Sequence, residues 1–106
     1  MKTLTNMLIA LLKSARMLGI RDEDLKSSQD FLNHHEFGLC FDTIVTQLYE
    51  YDIEIDTEFY ELLDKIGKKL KLPLESYSFM EELIRDDNKV PKPVKEELAR
   101  IISGLK

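Results

Sequence analysis

The sequence predicts an all-α protein, a compact bundle of about six short amphipathic helices, and three observations carry that reading. Apolar residues recur at three- and four-residue spacing through most of the chain, which is how a helix with one buried stripe reads. The breaks between stripes hold Gly, Pro or acidic capping residues. A chain of 106 residues, 43% of them hydrophobic and only four of them Gly and three Pro, supports one real core and has no room for a second domain.

Leu4, Met7, Leu8, Leu11, Leu12, Ala15 and Leu18 draw one stripe along a first helix, and Gly19 is placed to end it. A short second helix begins in Arg21-Asp22-Glu23-Asp24, where carboxylates suit both the N-cap and the open amides of a first turn, and it buries Leu25, Leu32 and part of Phe31. The third runs from about His35 to Tyr51 on a face of Phe37, Cys40, Phe41, Ile44, Val45 and Leu48. Asp56 or Thr57 then caps a fourth helix carrying Phe59, Leu62, Leu63, Ile66 and Leu70. With Asp56 as N-cap, Ile55 and Tyr60 take the two positions of a hydrophobic staple.

Pro73 cannot continue that helix but fits a first turn, so a fifth helix is expected over Leu74 to Arg85 with Tyr77, Met80, Leu83 and Ile84 as its apolar residues. A last one follows Pro91 and Pro93, with Val94, Leu98, Ile101, Ile102 and Leu105 on one side. The stretch Tyr49 to Asp56 resists the helical period, because it alternates apolar and acidic residues as a half-buried strand does. No second comparable alternation exists to pair with it, so the expectation is an extended connection between helices.

The formal net charge of −5 makes the chain a poor non-specific binder of nucleic acid or anionic membrane. Its distribution is more informative. From Asp22 through Asp64 thirteen acidic residues face only Lys26, a segment charge of −12, while residues 1 to 21 and the Lys65 to Lys71 cluster each carry four basic residues and no acid. Three of the four tyrosines, Tyr49, Tyr51 and Tyr60, fall within the most acidic part, among Glu50, Asp52, Glu54, Asp56, Glu58 and Glu61. Tyrosine suits interfaces because it covers area with few rotatable bonds and keeps a hydrogen-bonding tip. Together these residues suggest a docking site for a basic protein; the plainer alternative is a solvated acidic face whose rings lie half-buried at helix ends.

Catalytic and metal-binding signals are weak, and no enzyme activity or cofactor is expected. His34-His35-Glu36 lacks the second histidine of a zinc helix. Asp52-Ile53-Glu54-Ile55-Asp56 spaces carboxylates as a calcium loop does, but Thr57 and Leu63 stand where that loop needs Gly and a bidentate Glu. Cys40 sits at core spacing between Phe37 and Phe41 and reads as a small buried hydrophobe; as the lone cysteine it fits a reducing compartment. The first apolar run is short and followed by Lys13 and Arg16 rather than a small-residue cleavage site, so it reads as mature structure of a cytoplasmic protein. No stretch is long enough to span a bilayer.

The segment Asn33-His34-His35-Glu36-Phe37-Gly38-Leu39-Cys40-Phe41-Asp42-Thr43-Ile44-Val45-Thr46-Gln47-Leu48-Tyr49-Glu50-Tyr51-Asp52-Ile53, with Ile55-Asp56-Thr57-Glu58-Phe59-Tyr60-Glu61-Leu62-Leu63 after it, resembles small helical bacterial immunity proteins of the MafI type. These are similar to the immunity proteins of contact-dependent growth inhibition systems. In that family an acidic residue and a glycine open a helix, an acid follows four residues after the glycine, and a Leu-x-Glu-x-x-Ile ending leads into the next helix. Those places are held here by Glu36, Gly38, Asp42 and the run from Leu48 to Ile53. Leu39 and Cys40 stand where family members often have alanine.

The resemblance implies a cytoplasmic protein that binds one cognate toxin, the C-terminal domain of a larger secreted protein, and neutralises it without any cofactor. A basic nuclease is the expected partner, an RNase before a DNase, with no direct contact to nucleic acid or membrane. Asp42, Tyr49, Glu50, Tyr51, Asp52, Glu54, Asp56, Glu58, Tyr60 and Glu61 are the expected toxin-binding residues. An acidic inhibitor can compete with phosphate for the cations of a nuclease cleft, or bind beside the cleft and obstruct it sterically. The alternative is a non-enzymatic helical adaptor or regulatory module, which uses the same amphipathic helices without a toxin.

Overall fold

The computed structural model describes residues 2–85 of the chain. Four α-helices, α1 (Lys2–Leu18), α2 (Asp22–Asn33), α3 (Phe37–Glu50) and α4 (Thr57–Lys69), precede two 3-10 helices at Leu74–Ser76 and Ser78–Leu83. The fold is all-α. The helix expected after Pro91 and Pro93 lies outside the described residues.

α1 packs on α2, α3 and α4, while α3 packs most extensively on α2. The α1 stripe is buried from Leu4 to Ala15, and Leu18 is half-buried where the helix ends. α3 buries Cys40, Phe41, Ile44, Val45 and Leu48, as its spacing requires. α2 differs from expectation: only Leu32 of its apolar residues is fully buried, with Leu25 and Phe31 half-buried. Its other buried positions are polar and satisfied. The Ser28 hydroxyl donates to the Cys40 carbonyl at 2.9 Å, and the Arg21 guanidinium holds Asp24 at 2.9 Å. A serine at this crossing takes little volume and ties α2 to α3 by a bond instead of a large side chain.

All four α-helices end in one motif, in which an amide bonds back to the carbonyl five residues before it. Ile20 reaches Ala15 at 3.1 Å, Glu36 reaches Phe31 at 2.8 Å, Ile53 reaches Leu48 at 2.9 Å and Leu72 reaches Gly67 at 2.9 Å. Each such turn forces the preceding residue into the left-handed region: Gly19 at φ 102°, His35 at 59°, Asp52 at 51° and Lys71 at 59°. Only the first of these is a glycine. His34 and His35, expected at a helix start, thus belong to the end of α2.

α4 starts as its sequence indicates. The Asp56 carboxylate accepts the Phe59 amide at 2.9 Å, and the staple residues Ile55 and Tyr60 both join the core, Ile55 fully and Tyr60 in part.

Leu74 to Arg85 does not form the fifth α-helix expected of it. Tyr77 at φ −146° divides it into two 3-10 helices, and Ile84 is extended. The physical reason is visible in the spacing. Tyr77, Met80 and Leu83 are the buried residues, and they recur every third position, the period of a 3-10 helix and not of an α-helix. The alternating stretch before α4 is an extended connection, but it does find a partner. Ile55 makes a single parallel bridge with Ile84: its amide donates to the Leu83 carbonyl at 2.9 Å and its carbonyl accepts the Arg85 amide at 2.7 Å. A lone extended residue needs no matching alternation to be paired.

Tyr77 fixes where the segment sits. Its ring lies edge-on to Phe41 with centroids 6.1 Å apart, and its hydroxyl donates to Asp64 at 2.7 Å. The other Asp64 oxygen meets Lys68 at 2.8 Å. The ring rests directly on the backbone of α4 at Gly67, where a Cβ would collide with three of its carbons.

In an ordinary helix interior Gly→Ala stabilises by about 1 kcal/mol; Gly67→Ala should instead destabilise by about 2 kcal/mol through overpacking. Adding Tyr77→Leu should recover at least about 1 kcal/mol as coupling in a double-mutant cycle of denaturant midpoints. Lys71→Gly should raise stability by about 0.5 to 1 kcal/mol in the same assay, because it relieves a left-handed side-chain residue.

Candidate functional site

The second 3-10 helix acts as a three-sided rod, because residues three apart eclipse one another. One edge, Met80 and Leu83, continues Tyr77 into the core. A second edge, Phe79 and Glu82, meets Tyr49 of α3: the two rings lie edge to face at 4.8 Å, and the phenol donates to Glu82 Oε2 at 2.9 Å. The third carries Glu81, whose Oε1 accepts from the Tyr60 hydroxyl of α4 at 3.2 Å. Two of the three tyrosines expected at an interface therefore also fasten this segment to α3 and α4.

The ten expected site residues do not form one patch. Tyr51 turns toward α2, where the Arg21 guanidinium stacks over its ring at 4.4 Å while bonding to Asp24 and Glu23. Glu54 meets Arg85 at 3.3 Å. Asp56 is buried as the cap of α4, so its carboxylate serves its own helix and not a surface. Glu58 is half-buried, and Glu61 lies on the outer face of α4 along with Lys68, seven residues on. Asp42, Tyr49, Glu50 and Asp52 are exposed on α3 or at its end. Among the described residues, Asp42, Glu50, Asp52 and Glu61 enter none of the ion pairs.

The acidic surface is thus narrower than the segment charge suggests, and it is displaced. Arg21, Lys68 and Arg85 offset Asp24, Asp64 and Glu54 locally. α3 has no basic residue of its own. Its outer side presents Asp42, Thr46, Tyr49 and Glu50, with Leu39 also exposed. Glu82 and Phe79 border it through Tyr49. Sequence reasoning missed Leu39, Phe79, Glu81 and Glu82. The acidic pair in Met80-Glu81-Glu82-Leu83 was visible, but only a three-residue period would have pointed each carboxylate at a different tyrosine.

Three phenols are raised by their surroundings. The hydrogen bond to Glu82 raises Tyr49, since ionising the phenol would lose the bond and set two anions together. Burial first, then the Glu81 carboxylate, pushes Tyr60 up to about 12; burial, then Asp64, does the same for Tyr77. Asp64 is lowered by Lys68 and then by the Tyr77 hydroxyl. Burial pushes the Cys40 thiol up, opposed in part by Ser28, whose hydroxyl oxygen is 3.2 Å from the sulfur. No set of three His, Cys, Asp or Glu side chains among the described residues is arranged to hold a metal ion, and no described helix is long and apolar enough to cross a membrane.

The fold and this surface define a class: a small helical protein whose third helix turns an acidic, aromatic face outward. No family model, curated protein or solved structure matches the chain.

The phenol shifts make a pH prediction. Between the ordinary value of 10 and the folded value of about 12 the native state keeps two protons, on Tyr60 and Tyr77, that the unfolded chain has released. Stability should be intact below the lower value and fall as pH rises through the window. Phenolate absorbance should show two late-ionising tyrosines that titrate normally in denaturant, and Tyr77→Phe should remove one of them.

Proposed function

We propose that the protein is an immunity protein that binds a cognate bacterial toxin and neutralises it by covering a basic surface of the toxin, a nuclease domain by preference and an RNase before a DNase. The single observation that supports this most is the outer side of α3, where Asp42 and Glu50 stand exposed beside Tyr49 on a helix without one basic residue. Such a surface repels phosphate and attracts a nuclease's cations.

The resemblance of residues 33 to 63 to MafI-type immunity proteins supports this reading. Charge complementarity would speed encounter and discriminate against wrong partners, while a few aromatic anchors would set the lifetime of the complex. Inhibition by simple coverage needs no cofactor. The protein would act in the cytoplasm of the cell that makes the toxin and of its siblings.

The test is co-expression with the product encoded directly beside this chain. The neighbour alone should arrest growth, and this chain should restore growth and co-purify with it. A neighbour that is harmless alone favours the adaptor alternative; one that stays toxic when this chain is abundant contradicts the proposal.

A further inference from the structure

We infer that the partner lays a basic amphipathic segment lengthwise along the outer face of α3, anchored by Leu39 at one end and Tyr49 at the other. This rests on the immunity reading and moves the centre of the interface from the Tyr49 to Glu61 segment to the outer face of α3.

Among the described residues the face is left exposed by geometry. Five side chains of α3, Cys40, Phe41, Ile44, Val45 and Leu48, point into the core, and at 100° per residue Leu39, Asp42, Thr46, Tyr49 and Glu50 gather on the opposite side. Leu39 is 49% exposed and Tyr49 39%, two of the largest apolar groups left in solvent, and they lie about 15 Å apart along the helix at 1.5 Å per residue. Thr46 between them is small and exposed. Among the described residues the face therefore has two apolar stations separated by a low saddle, with carboxylates at Asp42 and Glu50 and no cation.

That pattern selects its occupant. A partner segment must bring apolar groups to the ends and Lys or Arg between and beside them, which describes one side of a basic helix or strand and excludes a nucleic-acid backbone. Tyr49 has the marks of the dominant anchor, because Phe79 and Glu82 already fix its ring and hydroxyl in the free protein and little freedom is lost on binding.

The experiment uses the full chain and the purified product encoded beside it, with Kd and growth rescue as readouts. Thr46→Arg puts bulk and a like charge on the saddle and should weaken binding about 100-fold; Tyr49→Ala should cost at least about 30-fold. Because Tyr49→Ala also removes contacts to Phe79 and Glu82, it is read only beside Thr46→Arg, at an exposed position, and with thermal melts of both. Asp30→Lys, an equal charge change on exposed α2, should stay within about threefold of wild type, whereas Asp42→Lys should not. If wild type binds and protects while Thr46→Arg stays within threefold, the α3 face is wrong and the immunity reading stands. If Asp30→Lys and Asp42→Lys weaken binding equally, net charge alone is read and the face is again wrong. If wild type neither binds nor protects, both fail together.

Discussion

The Tyr77 ring occupies the space that a side chain at residue 67 would need. Because Gly67 has no Cβ, the ring approaches the α4 backbone closely, packs edge-on with Phe41 of α3 and delivers its hydroxyl to Asp64. One aromatic residue thereby fixes the segment after Pro73 to two helices at once. Met80 and Leu83 follow it into the core at three-residue intervals, and the backbone beyond Leu83 is drawn to Ile55. Loss of this seat would release the rod, the bridge and the support beneath Tyr49 and Tyr60 together.

The same seat shapes the outer surface. With one edge of the rod buried, the other two necessarily present Glu82 to α3 and Glu81 to α4, and each carboxylate is met by a phenol. Both rings brace the segment, and Tyr49, itself exposed, holds Glu82 in place at the border of the α3 face while the half-buried Tyr60 holds Glu81 on α4. A surface held in this way is preorganised, which favours slow dissociation from a partner. The −12 segment is a poor guide to this surface, because Arg21 and Lys68 offset Asp24 and Asp64 within about one helical turn and Arg85 returns from farther along the chain to meet Glu54.

Much of this architecture was legible in the sequence, and the limits have physical causes. The stripes of α1, α3 and α4 and the Asp56 cap follow from spacing and local hydrogen bonding, which a single helix determines for itself. The Ser28 crossing, the Ile55 to Ile84 bridge and the Tyr77 seat are contacts between residues 12, 29 and 10 positions apart, and they depend on which helices become neighbours. The 3-10 rod was within reach, since Tyr77, Met80 and Leu83 recur at three, but that period is also the first step of an α-helical stripe. Of the expected site residues, Asp42, Tyr49, Glu50 and Asp52 stand exposed on or beside α3; Asp56 is buried in the capping role its spacing already indicated, which leaves its carboxylate none of the exposure an interface residue needs.

In the proposed complex the acidic face of α3, steadied by the Tyr77 seat, meets a cationic partner. The most direct test is the ionic-strength dependence of association with the purified neighbouring product, measured by stopped flow. The association rate should fall steeply between about 10 mM and 1 M salt, where the screening length shrinks from about 30 Å to about 3 Å, while dissociation changes little. An association rate indifferent to salt would contradict the central claim, whatever the affinity.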